Sequence, residues 1–329
     1  MLFLRRQESF ELDLNYKMKA EKPFHKNFKL QGTSFKSVEE LINFSSQVSI
    51  EVQLFLKDWF NNNLYVEVKT SGSTGKPKLI QLQKKYMINS ALATGTYFNL
   101  LENTTALLCM PVNFIAGKMM LVRALTLGWQ LDVVALTSTP LKNISKDYDF
   151  SAMVPLQLNN SLSKINNIKM LIVGGGVISK ELTSKIQHID TQVFATYGMT
   201  ETITHIAVKK LNCLLNVIAS ETKQSQYQVL PNISISTDNR SCLVINAPKL
   251  SSKKIITNDL VELISSTEFK WLGRFDSIIN SGGIKLIPEQ IEEKLAAIIE
   301  QRFFVTGIPD DFLGEKLVLI VEGSERGEF

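Results

Sequence analysis

Cysteine is scarce: Cys109, Cys213 and Cys242 are all that 329 residues hold, and they are far apart. That spacing offers no disulfide framework and no zinc-ligand pattern, and it suits a reduced compartment. No stretch reaches about 18 uninterrupted apolar residues, and the N-terminal "MLFLRRQESFELDLN" has no apolar core of signal-peptide length. The expected location is therefore cytoplasmic, without membrane insertion. Lysine and arginine form no block, and the formal net charge is only +4. That argues against nucleic acid as a partner, while leaving a slight bias towards anionic ligands. A Walker A loop is missing as well. Gly72 and Gly75 enclose two residues rather than four, and Pro77 rather than Ser or Thr follows the lysine.

Hydrophobic residues make up 44% and charged residues 21%, the balance of a globular protein. The length predicts two or more domains. Residues 37–63 read as one helix opened by a capping box, Ser37 with Glu40. A strand, a loop and a strand follow over 65–82, then a helix from Lys84 to Leu100. Buried strands are expected at "TALLCMPV" (105–112) and "QLDVVAL" (130–136), with a helix over 117–127 between them. The apolar runs "FSAMVPLQL", "KMLIVGGG" and "TQVFATYG" continue the alternation, which predicts an α/β fold with largely parallel sheet. After about residue 228 the texture becomes that of a β-rich subdomain. Residues 288–302 read as a helix begun by Pro288, and 303–321 as two strands around an exposed turn. The polar stretch 212–226 reads as an inserted loop.

Five segments carry candidate chemistry. In "VKTSGSTGKPKLIQL", the small polar residues Thr70, Ser71, Gly72, Ser73, Thr74 and Gly75 let the backbone turn and present N–H groups and hydroxyls. Lys76 and Lys78 add charge, so the loop is a phosphate cradle or a plain surface hairpin. In "TYGMTET", Tyr197 and Gly198 follow a buried strand, and Glu201 offers a hard oxygen to Mg²⁺ or, with Thr200, caps a helix. Gly174, Gly175 and Gly176 either let a flat ring lie on backbone or form a turn. Asp259 in "TNDL" accepts two ribose hydroxyls or is a turn aspartate. In "GRFDSIINSGG", Arg274 can reach ribose or phosphate, and Gly282 with Gly283 makes a tight turn.

The order of these segments resembles the adenylate-forming superfamily of acyl-CoA synthetases, luciferases and nonribosomal adenylation domains, over most of residues 65–321. "MINSALATG", "MPVNFIAGKMMLVRAL", "TYGMTETITHIA" and "NSGGIKLIPEQIEEKL" look like the short o-succinylbenzoate–CoA ligases of menaquinone biosynthesis. The resemblance implies a large N-terminal domain over 1–272, with a β-rich subdomain, and a small α+β domain over 273–329 hinged at Asp276. It implies ATP, Mg²⁺ and CoA, with an aromatic carboxylate activated as the acyl-adenylate and passed to the thiol. The loop 70–78, with Lys76, would hold the β- and γ-phosphates. Gly174–Gly176 and Tyr197 would border the adenine, Gly198 would belong to the nucleotide site, Thr200 would contact the α-phosphate, and Glu201 the metal. Asp259 and Arg274 would hold the ribose.

The acid pocket would lie near 110–125 and 173–176. There Arg123 is a fixed cation for a second carboxylate or a surface arginine, and His205 lines the pocket or is structural. Phe114 stands where relatives often carry histidine. Relatives also continue past the last strand to a catalytic lysine near the C-terminus, and no residue here matches it. Impaired adenylation is therefore an alternative expectation, which would leave a nucleotide- or adenylate-binding protein; another aryl- or acyl-CoA ligase is a third. The expected assembly is monomer or homodimer.

Overall fold

The computed structural model describes residues 23–69, 79–212 and 226–323. The chain forms two compact units, Met1–Ala219 and Ser220–Phe329.

Among the described residues, the first unit opens with a two-residue strand, β1 (Lys29–Leu30), then α1 (Val38–Ser45) and α2 (Ile50–Trp59). The one helix expected over 37–63 is thus two. Ser37 Oγ accepts the Glu40 N–H at 3.2 Å, as a capping box requires, but the Glu40 carboxylate takes the Lys36 N–H instead of its own cap's. Between the helices, Ser49 Oγ accepts the Glu51 N–H and starts α2 afresh. Serine hydroxyls compete for backbone N–H groups in this way, so the serine-rich segment 45–49 breaks the helix.

Strands β2 (Tyr65–Lys69) and β3 (Leu79–Gln83) pair antiparallel, Tyr65 opposite Gln83 and Lys69 opposite Leu79. Helix α3 (Lys84–Phe98) follows and ends on Asn99 in the left-handed conformation. Next come β4 (Thr105–Leu108), α4 (Ile115–Leu127), β5 (Gln130–Val133) and β6 (Tyr148–Met153). Then come α5 (Pro155–Asn160), β7 (Ile168–Val173), α6 (Lys180–Lys185), β8 (Gln192–Gly198) and β9 (His205–Lys210). The run "FSAMVPLQL" is split: Pro155 sits in the first turn of α5, where its missing N–H costs nothing.

Strands β1, β5, β4, β6, β7 and β8 lie side by side in that order, all parallel, and β9 pairs antiparallel with β8. The apolar runs after β4 and β5 leave the sheet at Leu108 and Val133, earlier than expected, and become loops at its carboxyl edge. Helix α4 is buried over Met119–Leu125 and at Gly117, as a helix apolar on nearly every side must be. Rings of Trp129 and Phe150 (5.3 Å) and of Phe98 and Phe194 (5.1 Å) pack the core of this unit.

The second unit has β10 (Tyr227–Val229), β11 (Ser234–Thr237), β12 (Cys242–Asn246), β13 (Ile255–Leu263) and β14 (Glu268–Arg274), antiparallel in the order β10, β14, β13, β12, β11. A smaller sheet holds β15 (Ile279–Ser281), β16 (Ile284–Leu286), β17 (Phe303–Asp310) and β18 (Gly314–Val321), ordered β16, β15, β18, β17. Gly282 and Gly283, at φ +59° and +83°, form the two-residue turn between β15 and β16, where a side chain would be strained. Helix α7 (Pro288–Leu295) is shorter than the 288–302 expected. Its acidic–apolar pattern continues, but the chain must reverse into β17, and Ile298 is left 79% exposed. All but the two ends of the expected insert at 212–226 lies outside the described residues, as do the six residues after Gly323.

Candidate active site

Because β4, β6, β7 and β8 run parallel, the segments leaving them emerge on one edge of the sheet. They are 109–114, 154–155, 174–176 and 199–202. After β4 the chain adds β5 on one side, then crosses to add β6 on the other. Such a reversal opens a crevice at the carboxyl ends of the strands, where α/β sheets bind ligands. Gln157 braces this edge: its amide donates to the carbonyls of Cys109 (2.8 Å) and Thr137 (3.1 Å). A cleft of about 470 Å³ opens beside it, lined by Ser49, Val52, Met110, Val112, Val134 and Leu136.

At the end of β7, Gly174 is half-buried, while Gly175 and Gly176 expose their backbone. Tyr197 is half-buried near the end of β8, and Gly198 is that strand's last residue. Thr200–Thr202 then make one tight 3-10 turn and cap no helix. Its buried member, Thr202, accepts the Met199 N–H at 2.9 Å. Thr200 is half-buried and Glu201 exposed. The next residue, Ile203, has φ +68° and ψ −56°, and the Thr204 N–H donates back to the Thr202 carbonyl at 2.8 Å. This is a γ-turn of the rare positive-φ kind, built on a β-branched residue. Backbone of this sort costs about 1–3 kcal/mol and collects at functional sites.

Arg123 is not on the surface. It is 1% exposed, and burial pulls its pKa down to about 9. Its Nε donates to Thr94 Oγ1 on α3 (3.3 Å), and Nη1 points at Met120 Sδ (3.8 Å). Nη2 lies 3.5 Å from both Thr204 Oγ1 and His205 Nδ1. Among the described residues, no carboxylate forms an ion pair with it. His205, 4% exposed, is held well below the usual imidazole range by burial and then by the Arg123 charge. The structure thus brings Arg123 and His205 together, adding Thr94 and Thr204, which the sequence reading did not single out. Phe114 is 50% exposed, one residue before α4.

In the second unit, Asp259 sits within β13, 7% exposed, and not at a turn. It lies opposite Arg274 of β14, and its Oδ1 accepts from Trp271 Nε1 at 3.2 Å. Arg274 Nε and Nη2 donate to the two carboxylate oxygens of Asp276, at 2.9 and 2.8 Å, which lowers the Asp276 pKa. Arg274 Nη1 is 3.9 Å from Asp259 Oδ1. The residues assigned to ribose and hinge therefore form one charged group. Thr70, Ser71, Gly72, Ser73, Thr74, Gly75 and Lys76 lie outside the described residues. Among the described residues, no three histidines, cysteines or carboxylates cluster as a metal site, and no helix is long and apolar enough to cross a membrane.

This geometry can be set beside known proteins. The curated 2-succinylbenzoate–CoA ligases of Lactococcus lactis subsp. lactis (strain IL1403) and Escherichia coli (strain K12) are each 23% identical, over 81% and 85% of this chain. The chain spans only 62% and 64% of their length. An acyl-CoA synthetase (AMP-forming)/AMP-acid ligase II-like protein from Dyadobacter fermentans DSM 18053 is 36% identical, with a TM-score of 0.63 over 84% of this chain and 80% of that one. The o-succinylbenzoate coenzyme A synthetase of Bacillus subtilis, solved with ATP and magnesium, shares the fold at TM-score 0.67 and 21% identity, over 78% of this chain and 60% of that one. The model of the AMP-binding enzymes matches residues 18–242, most of the first unit and the start of the second. With that span matched and the parallel-strand edge built as described, the chain belongs to the family of AMP-binding, adenylate-forming enzymes.

Proposed function

We propose that the protein is an ATP-dependent acid–thiol ligase whose acid is o-succinylbenzoate, acting in menaquinone biosynthesis. One observation carries the choice of acid. A buried arginine lacks a carboxylate partner among the described residues, and its Nη2 lies 3.5 Å from Thr204 Oγ1 and His205 Nδ1, just past the turn that follows β8. Such a cation gains most from an acid with a second carboxylate, one that is not consumed in the reaction.

In this reading a substrate carboxylate oxygen attacks the α-phosphorus of ATP, and pyrophosphate leaves. The CoA sulfur then attacks the acyl carbon, and AMP leaves. The protein's work is positioning and charge neutralisation. The loop 70–78 with Lys76 would take the β- and γ-phosphates. Gly174–Gly176 and Tyr197 would border the adenine, Gly198 would belong to the nucleotide site, and Thr200 would meet the α-phosphate. Glu201, exposed in its tight turn beside the Thr200 hydroxyl, suits Mg²⁺, which keeps most of its water and takes one or two carboxylates plus phosphates. The metal would neutralise charge on the phosphates. Asp259 and Arg274 would hold the ribose, and Asp276 would hinge a large domain (1–272) against a small one (273–329).

ATP–pyrophosphate exchange with a panel of aromatic acids is the test. Exchange should be fastest with o-succinylbenzoate. Arg123→Ala should raise KM for that acid about thirty- to more than a hundredfold while hardly changing KM for ATP, the effect of a lost charge-assisted pair of roughly 2–3 kcal/mol. Equal effects on both substrates would return Arg123 to a structural role. The Dyadobacter relative's description favours a second reading, a ligase of another acyl or aryl acid, and the same panel separates the two.

A further inference from the structure

Arg123 has protons to give and nowhere to accept, so its contacts fix the protons of the groups around it. His205 Nδ1, 3.5 Å from Nη2, must be the acceptor. The ring proton then sits on Nε2, 3.4 Å from Thr94 Oγ1. Thr94 Oγ1 accepts from this proton and from Arg123 Nε, and sends its own hydrogen to the Ser90 carbonyl at 3.0 Å. The chain of protons is complete only with a neutral His205 in one tautomer. Each contact is at the long end of the hydrogen-bond range, so no single one fixes the guanidinium; their convergence from α3, α4 and β9 does.

We propose that Thr94 and His205 are positioning residues: together they set the plane of the Arg123 guanidinium and so select acids carrying a second carboxylate. This rests on the reading of Arg123 as that carboxylate's partner. Planar, bidentate pairing is sensitive to the orientation of the guanidinium fork, which explains why a buried arginine with no ion-pair partner among the described residues is still held from several sides. Selection then lies in the support of the arginine as much as in the arginine itself.

The test measures binding by calorimetry on the full chain, with o-succinylbenzoate and with 3-benzoylpropionate, the same molecule without its ring carboxylate. Thr94→Val and His205→Leu should each weaken o-succinylbenzoate about tenfold, the effect of one or two lost hydrogen bonds, and leave 3-benzoylpropionate within about twofold. Thr94→Ser and His205→Asn, which keep an acceptor in place, should restore most of the preference. On an Arg123→Ala background Thr94→Val should add nothing, as a residue acting through Arg123 requires. Should Thr94→Val not fold, Thr94→Ala removes the same hydroxyl with less demand on shape. Equal weakening of both acids would overturn the proposal, making the pair merely structural. So would unchanged binding in Thr94→Val and His205→Leu while Arg123→Ala loses the preference, and that result leaves the ligase reading intact. If the unmutated chain shows no preference for o-succinylbenzoate, the reading of that acid as the substrate fails and takes this proposal with it.

Discussion

Arg123 is the one charge in the run Met119–Leu125, and burial, not a partner, sets its pKa near 9. Arg123→Met, close in volume and free of charge, should therefore raise stability by about 1 kcal/mol or more in denaturant melts, while the preference for the dicarboxylic acid is lost. A lower midpoint would mean that the contacts to Thr94, Thr204 and His205 outweigh the cost of burying the charge. The sequence did hold a signal that Arg123 is inside: a helix apolar on nearly every side has little surface on which to put an arginine. The partners were not readable, because Thr94 comes from α3 and His205 from β9, and only the folded packing brings them to α4. The positive φ of Ile203 was equally hidden, since a β-branched residue is the last one that propensity would place there.

Helix α4 stands close to the segment before it. A Cβ on Gly117 would overlap the Pro111 carbonyl oxygen, so Gly117→Ala should cost about 1–3 kcal/mol, read as a lower denaturant midpoint at unchanged slope. In the second unit, Glu289 of α7 accepts the Arg274 N–H with Oε1 (3.2 Å), while its buried Oε2 has no partner among the described residues. Burial raises the Glu289 pKa, so the folded state favours the protonated form. Its contribution is full below about pH 4.3, the ordinary glutamate value, and is lost as pH rises through the higher folded-state value. Wild type should therefore gain stability relative to Glu289→Gln as pH is lowered from about 8 to about 4. A difference in melting temperature that stays flat over that range would refute the assignment. Long periodic elements such as α3, β7 and β8 were legible because burial and propensity agree there. The break between α1 and α2 was not, because capping by Ser49 overrode a continuing helical pattern; nor was the early end of α7, where the return into β17 decides.

Over the whole molecule, the alternation of strand and helix gave the α/β class, and the order of short motifs gave the family, while the identity of the acid rests on one side chain. Nucleotide binding is testable without turnover. ATP with Mg²⁺ at about 100 times its Kd should add about 2.7 kcal/mol to stability, seen as a higher melting temperature. No shift at any concentration would remove the nucleotide from the reading. The strand order has one more consequence, for synthesis on the ribosome. β1 lies beside β5, Lys29 opposite Gln130, although about 100 residues of chain separate them. At about 5–20 residues per second, its neighbour is not yet made for roughly 5–20 s after β1 itself. The parallel sheet must therefore grow outward from strands made later, and β1, made before the other strands of that sheet, is among the last of them to dock.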